Sequence, residues 1–326
     1  MMSKKAKLDF NLKKDISNDN ILIQKPIFQE FKEFLRDKYD SILRRKYYRL
    51  KFKNFFKHQN YKIDLVLPSK GFSNFERKKK LDNISSIEGK DILIIGCGNG
   101  YDIFDWIKFQ PRSITGLDIL NYSRSWKKVL YSAKKKNINT KINFLQRDIL
   151  KLKKSKKFHF IVSDAVFEHL QNFKEVLKKC DSLLYKKGII YASYGPLWYN
   201  LGGDHFSNRN DDVDGFNHLL LNKKNYLRFF KENVKSLDEE IKLHGSAGIF
   251  VKKDLFSKLT GNQYMKIFLR NNFFSKYTVV EYCPISLKLL NKNYKLSKKL
   301  MKKTKFKILE NFYLKTQVVY LKKVSN

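Results

Sequence analysis

The chain has 326 residues, 42% hydrophobic and 15% aromatic, enough apolar material for a substantial core, which excludes wholesale disorder. Its 68 basic and 31 acidic residues leave a net charge of +37, which invites a polyanion-binding reading. Only 11 of the 68 are arginine, the residue that recognises phosphate and base edges through a bidentate fork, so a lysine-asparagine-isoleucine bias competes with a nucleic-acid partner as the source of the charge.

Residues 1–25 are polar. From Pro26, suited to a first helical position, Ile27, Phe31, Leu35, Ile42, Leu43 and Leu50 recur at helical intervals to about Phe56. The opposite face, with Arg44, Arg45, Lys46 and Arg49 among Tyr47, Tyr48 and Phe52, suits RNA or an anionic surface, although packing onto the main domain is the stronger reading. The first 14 residues hold no apolar signal core, and no apolar run approaches the roughly 18 residues that span a bilayer. Cys97, Cys180 and Cys283 show no C-x-x-C spacing, so no metal site is expected. A soluble, cytoplasmic protein without integral membrane contact is the expectation. Residues 68–71 read as a turn and Asn74 to Ser86 as a short helix. Residues 1–85 thus form a basic, mainly helical extension, and 86–326 the main domain.

The apolar run Asp91-Ile92-Leu93-Ile94-Ile95 stops at Gly96-Cys97-Gly98-Asn99-Gly100. A buried parallel strand entering a glycine turn has this pattern, because glycine lets the backbone pass close to a ligand. The next strand, Ser113 to Leu117, ends at Asp118, where an acid can accept both hydroxyls of a ribose. These residues read as a nucleoside-binding βαβ unit. The spacing is G-x-G-x-G, with Tyr101 where a dinucleotide site has its third glycine, and no Lys-Ser or Lys-Thr follows as in a phosphate-binding loop.

In this stretch the chain resembles the class I S-adenosylmethionine-dependent methyltransferases, and further stations follow in register. Phe144 to Leu150 ends a strand in Asp148; Phe158 to Leu170 reads strand, Asp164, then a Glu168-His169 pair; Leu183 to Tyr191 reads helix end, Gly188 turn and fifth strand. The resemblance covers about 85–200. It implies that Gly96, Cys97, Gly98, Gly100, Asp118 and Ile119 hold the cofactor, that Asp148 accepts from the adenine amino group, and that the Ile149 amide meets a ring nitrogen. The family's usual acid two residues before the first glycine is Ile94 here, and Asp102 is the candidate replacement. The expected fold is α/β: a mostly parallel seven-stranded sheet with an antiparallel last strand and helices on both faces.

After Ser193 the glycine- and aromatic-rich segment 194–206 begins where the fifth strand ends, and ligands of open α/β sheets lie beyond the carboxyl ends of strands. It resembles the G-P-L-W…G-x-H segment of a branch associated with small-molecule and glycan biosynthesis. Residues 201–275 should form a helical substrate cap, its last helix opened by Thr260-Gly261-Asn262-Gln263, and 276–326 the final strands, Tyr277 to Tyr282 and Phe312 to Lys322.

Methyl transfer from a sulfonium requires mainly alignment and exclusion of water, and a hydroxyl acceptor needs a base. His205, in the glycine-rich loop, is the candidate base, with a loop-anchoring role as the alternative. His169 reads as structural before catalytic, Asp164 should line the site, His218 borders the cap and His159 is packed in a strand. The fourth station, Ser163-Asp164-Ala165, lacks both the Pro-Cys of C5-cytosine enzymes and the Asn/Asp-Pro-Pro-aromatic motif of exocyclic-amine enzymes. The expectation is O-methylation of a small molecule or sugar-type metabolite, with an RNA methyltransferase or a non-catalytic binding protein as the alternatives.

Overall fold

Every apolar run that alternates with a helical segment between residues 91 and 194 becomes a strand of one sheet. The computed structural model describes residues 50–53, 63–66, 73–153, 155–205, 214–233, 250–251 and 253–323. The chain divides into two units, Met1–Lys51 and Phe52–Asn326, and everything that follows concerns the second. The expected helix from Pro26 to Phe56 lies almost wholly outside the described residues.

In chain order the elements are β1 (Ile63–Val66), α1 (Asn74–Ile84), β2 (Asp91–Ile95), α2 (Ile103–Ile107), β3 (Ser113–Asp118), α3 (Ser123–Lys135), β4 (Lys141–Gln146), β5 (Phe158–Asp164), α4 (Phe173–Leu183) and β6 (Leu184–Tyr194). The substrate-side region follows with α5 (Asn217–Leu220), α6 (Lys223–Asn233) and α7 (Gly261–Arg270). The chain then runs through β7 (Phe273–Tyr282), α8 (Pro284–Lys292), α9 (Tyr294–Thr304), α10 (Glu310–Tyr313) and β8 (Leu314–Lys323). The sheet order is β1-β7-β8-β6-β5-β2-β3-β4. β8 is antiparallel to both β6 and β7, and the other pairs are parallel.

This is the Rossmann-like α/β fold expected, with one strand more. The extra strand is β1, which pairs in parallel with β7 from Ile63 opposite Thr278 to Val66 opposite Glu281. The segment expected to be mainly helical therefore supplies a sheet edge. Two boundaries also move. β4 ends at Gln146, two residues before Asp148, and Gly188 lies within β6 at a register shift against β5 instead of forming a turn before it.

Local chemistry explains most of the remaining boundaries. Central β2 is buried from Ile92 to Ile95, whereas edge strand β4 alternates, as position in the sheet requires. Helix α1 starts on a capping box in which Glu76 N donates to Ser73 Oγ and Ser73 N donates to Glu76 Oε2. Helix α7 starts on the expected one, with Thr260 and Gln263 reciprocally bonded. Ile92, Ile94, Ile114, Phe160, Val162 and Tyr191 share a core with Trp106 and Trp126. Tyr226, Phe230, Val251 and Phe256 form a smaller cluster against Trp198 and Phe250 in the cap region.

Candidate functional site

The glycine turn at the carboxyl end of β2 meets the end of β3 and the residues just after β5. Gly96 N and Cys97 N both donate to Leu117 O, at 2.7 and 3.1 Å, which ties the turn to β3. Gly98 N donates to Asp118 Oδ2 and Leu120 N to Asp118 Oδ1, each at 2.8 Å. Trp126 Nε1 closes the turn from the far side by donating to Gly98 O at 2.8 Å. Gly96 needs its missing side chain twice over: its φ is +67°, and a Cβ there would lie 2.2 Å from Val166 Cγ2. At Gly100, with φ +84°, a Cβ would meet the Phe144 ring at 2.7 Å, where that ring stacks on Trp126 at 5.2 Å.

A cavity of about 70 Å³ sits on this turn, lined by Ile94, Gly96, Cys97, Gly100, Asp102, Ile103 and Asp164. Ile94 and its candidate replacement Asp102 thus face the same space. Asp102 is held by Lys78 Nζ and by Trp106 Nε1, which donates to its Oδ2 at 3.0 Å. Lys78 is fully buried and also reaches Asp105 Oδ2 at 3.4 Å. It was not legible as a site residue, because one more lysine among so many carries no signal. Asp164 accepts from Tyr191 OH at 2.8 Å. Burial, and then the charge of Asp102, push its carboxyl up to about 6, against the pull of that hydrogen bond and of Lys78 and Arg77. Burial and the nearby Asp118 push the Cys97 thiol up to about 12, so it stays neutral.

The remaining expected cofactor contacts follow β3 and β4. Ile119 is exposed after β3. Asp148 caps the short 3-10 turn after β4 by accepting from Leu150 N at 2.9 Å, and Ile149 beside it is buried.

A second cluster forms beyond β5. Ala165 turns the chain with φ +55°, and the short 3-10 turn Phe167–His169 follows. Glu168 is 2% exposed, accepts from Gly195 N at 2.9 Å, and its Oε2 is buried without a hydrogen-bond partner among the described residues. Burial is the main cause that lifts its carboxyl to about 8, with Asp164 close enough to add to the effect. His169 Nδ1 lies 2.9 Å from Leu255 O, and its ring stacks on Phe250 at 3.9 Å. His205 Nε2 lies 3.3 Å from Pro196 O, and the two imidazole centroids are 4.7 Å apart. One ligand atom from each of Glu168, His169 and His205 falls within 4.8 Å of the others. All three residues were legible in the sequence, but not that the adjacent Glu168 and His169 form one group with His205, 36 residues after His169.

Two expected histidines belong elsewhere. His218 is buried, with Nε2 2.7 Å from Trp198 O and Nδ1 3.8 Å from Asp204 Oδ2, which fixes the cap. His159 sits at the other end of β5, where its Nδ1 accepts from Asp91 N at 3.2 Å.

Comparison with known proteins identifies the family of the chain. A protein-family model described as "Methyltransferase domain" matches residues 87–271. The malonyl-[acyl-carrier protein] O-methyltransferase 2 of Ilyobacter polytropus is 28% identical over 155 residues, 47% of this chain and 55% of that protein. The (S)-coclaurine N-methyltransferase of Thalictrum flavum is 23% identical over 182 residues, 48% and 50% of the two chains. The chain thus spans about half the length of the curated relatives it matches. Among solved structures, an S-adenosylmethionine dependent methyltransferase from Mesorhizobium loti is similar over 75% of this chain and 96% of its own, with 13% identity and a TM-score of 0.43. No helix among the described residues is long and apolar enough to cross a membrane.

Proposed function

The chain belongs to the methyltransferase domain family, and on that premise we propose that it moves the methyl group of S-adenosylmethionine onto an oxygen of a small molecule or sugar-type metabolite. The observation that carries this reading is the cavity on the glycine turn that Asp102 and Asp164 both line. A sulfonium and an ammonium are the cofactor's two cationic groups, and each is favoured beside a carboxylate. In this arrangement Asp118 takes the ribose hydroxyls, Asp148 and the Ile149 amide read adenine, and Asp102 serves the methionine amino group in place of an acid at Ile94. Asp164 faces the sulfonium at the junction with the acceptor.

The acceptor then lies toward Glu168, His169 and His205, where its hydroxyl can lose a proton. The enzyme's work is alignment, exclusion of water and that deprotonation. The relatives' names include both an O- and an N-methyltransferase; the oxygen acceptor is favoured because a hydroxyl must lose its proton to react, and Glu168, His169 and His205 cluster where it would do so.

Calorimetric titration with S-adenosylmethionine and S-adenosylhomocysteine, with Asp118→Ala as control, tests the cofactor half. A panel of sugars and small alcohols, assayed by mass for a gain of one methyl group, tests the acceptor half. Saturable binding lost in Asp118→Ala and a methylated hydroxyl support the reading. A folded protein that binds neither ligand overturns it.

A further inference from the structure

We propose that Glu168, His169 and His205 bind a divalent first-row transition-metal ion, and that this ion receives the acceptor's hydroxyl. Four features of the cluster lead there. The first is the donor set. Two imidazoles and one carboxylate leave several coordination positions open, a combination suited to ions such as Mn²⁺, Fe²⁺ or Zn²⁺ over the oxygen-seeking Ca²⁺ and Mg²⁺. The second is spacing. The three ligand atoms lie within 4.8 Å of one another, near the separation of about 3–4 Å that an ion at roughly 2.1 Å from each imposes.

The third feature is Glu168 itself. Its Oε2 is buried without a hydrogen-bond partner among the described residues, and no lysine or arginine is among the causes that shift its carboxyl, in a chain with 68 basic residues. A buried polar atom of that kind is costly unless a partner meets it, and a metal ion that displaces the carboxyl proton supplies one. The fourth is the support behind the ligands. With Nδ1–H donating to Leu255 O, His169 carries its lone pair on Nε2; with Nε2–H donating to Pro196 O, His205 carries it on Nδ1. A carbonyl behind each imidazole sets the tautomer and orients the ring for an ion. Phe250 and Phe256 flank both rings and keep the local dielectric low.

This inference deepens the acceptor reading and rests on it for its purpose. The ion draws in the hydroxyl and makes it more acidic, so the proton leaves to water. The oxygen's electron pair forms the new C–O bond as the C–S bond breaks, its pair returning to sulfur. The products are a methyl ether, S-adenosylhomocysteine and one proton. His205 acts in this account as a ligand rather than as the base itself.

The test needs no substrate. Full-length protein stripped with a chelator is titrated with Mn²⁺ and with Zn²⁺ by calorimetry, and its metal content is measured after dialysis against each ion. Co²⁺ substitution gives a visible absorption band as a second readout. His205→Ala, His169→Ala and Glu168→Gln are compared with His159→Ala, which lies outside the cluster. The expected result is about one ion per chain, bound at least about 100-fold more weakly by His205→Ala and unaffected by His159→Ala. Because Glu168 and His169 support packing, His205→Ala with an unchanged circular dichroism spectrum is the deciding variant. Absence of tight binding, or binding that His205→Ala leaves intact, overturns the proposal. S-adenosylmethionine titrated into the same stripped sample separates the two failures: cofactor binding without ion binding refutes the metal site alone.

Discussion

The amide of Gly98 donates to one carboxylate oxygen of Asp118 while the amide of Leu120 donates to the other, both at 2.8 Å. One acid therefore spans the tips of β2 and β3 and shapes the glycine turn before any ligand is considered. Asp118→Ala removes the acceptor for both amides and should cost about 2 kcal/mol of stability, read as a lower denaturant midpoint with an unchanged slope. S-adenosylmethionine binding should be lost in the same variant.

Lys78 and Asp102 form an unequal pair. The lysine side chain is fully buried, whereas the aspartate side chain is 37% exposed. Lys78→Met leaves an aspartate that water can reach. Asp102→Ala leaves a buried ammonium with Asp105 at 3.4 Å as its remaining carboxylate. The aspartate substitution should therefore be the more destabilising, by about 2 kcal/mol, in paired thermal or denaturant unfolding. Equal losses would contradict the asymmetry.

Asp164 titrates near 6, raised from 3.8 chiefly by burial. Below that pH the carboxyl is protonated and neutral; above it the carboxylate attracts a sulfonium. Affinity for S-adenosylmethionine should rise as pH increases through about 6 and then level, with proton release on binding near pH 5 to 6. The neutral thioether S-adenosylhomocysteine should show a much smaller rise, and Asp164→Asn should flatten the difference. Asp102, Lys78 and Tyr191 face the same carboxyl and are retained in that variant. Calorimetry at several pH values measures all of this.

Gly96→Ala should be among the most damaging small substitutions. Its φ of +67° disfavours any side chain, and the new methyl would overlap Val166. A loss of about 2–4 kcal/mol is expected. Adding Val166→Ala should recover the steric part and leave about 1 kcal/mol from the backbone conformation. A double-mutant cycle without coupling between the two positions would rule this out.

What the chain states locally, it states well. The apolar run into Gly96-Cys97-Gly98-Asn99-Gly100, the acid at Asp118 and the Thr260–Gln263 capping box all depend on a few adjacent residues, and each has the structure its chemistry demands. The alternation of strand and helix likewise dictates the parallel sheet. Tertiary structure alone decided the rest, because it depends on pairings across long separations. β1 finds β7 more than 200 residues away and becomes an eighth strand, since a segment of four residues has no strand identity until a sheet edge accepts it. Lys78 becomes the partner of Asp102 only when α1 lies beside the glycine turn. Glu168, His169 and His205 become one group only when the loop after β6 folds back over β5 and Gly195 N takes one oxygen of the glutamate. Side-chain chemistry can be read from sequence; which chemistries share a few ångströms is set by packing.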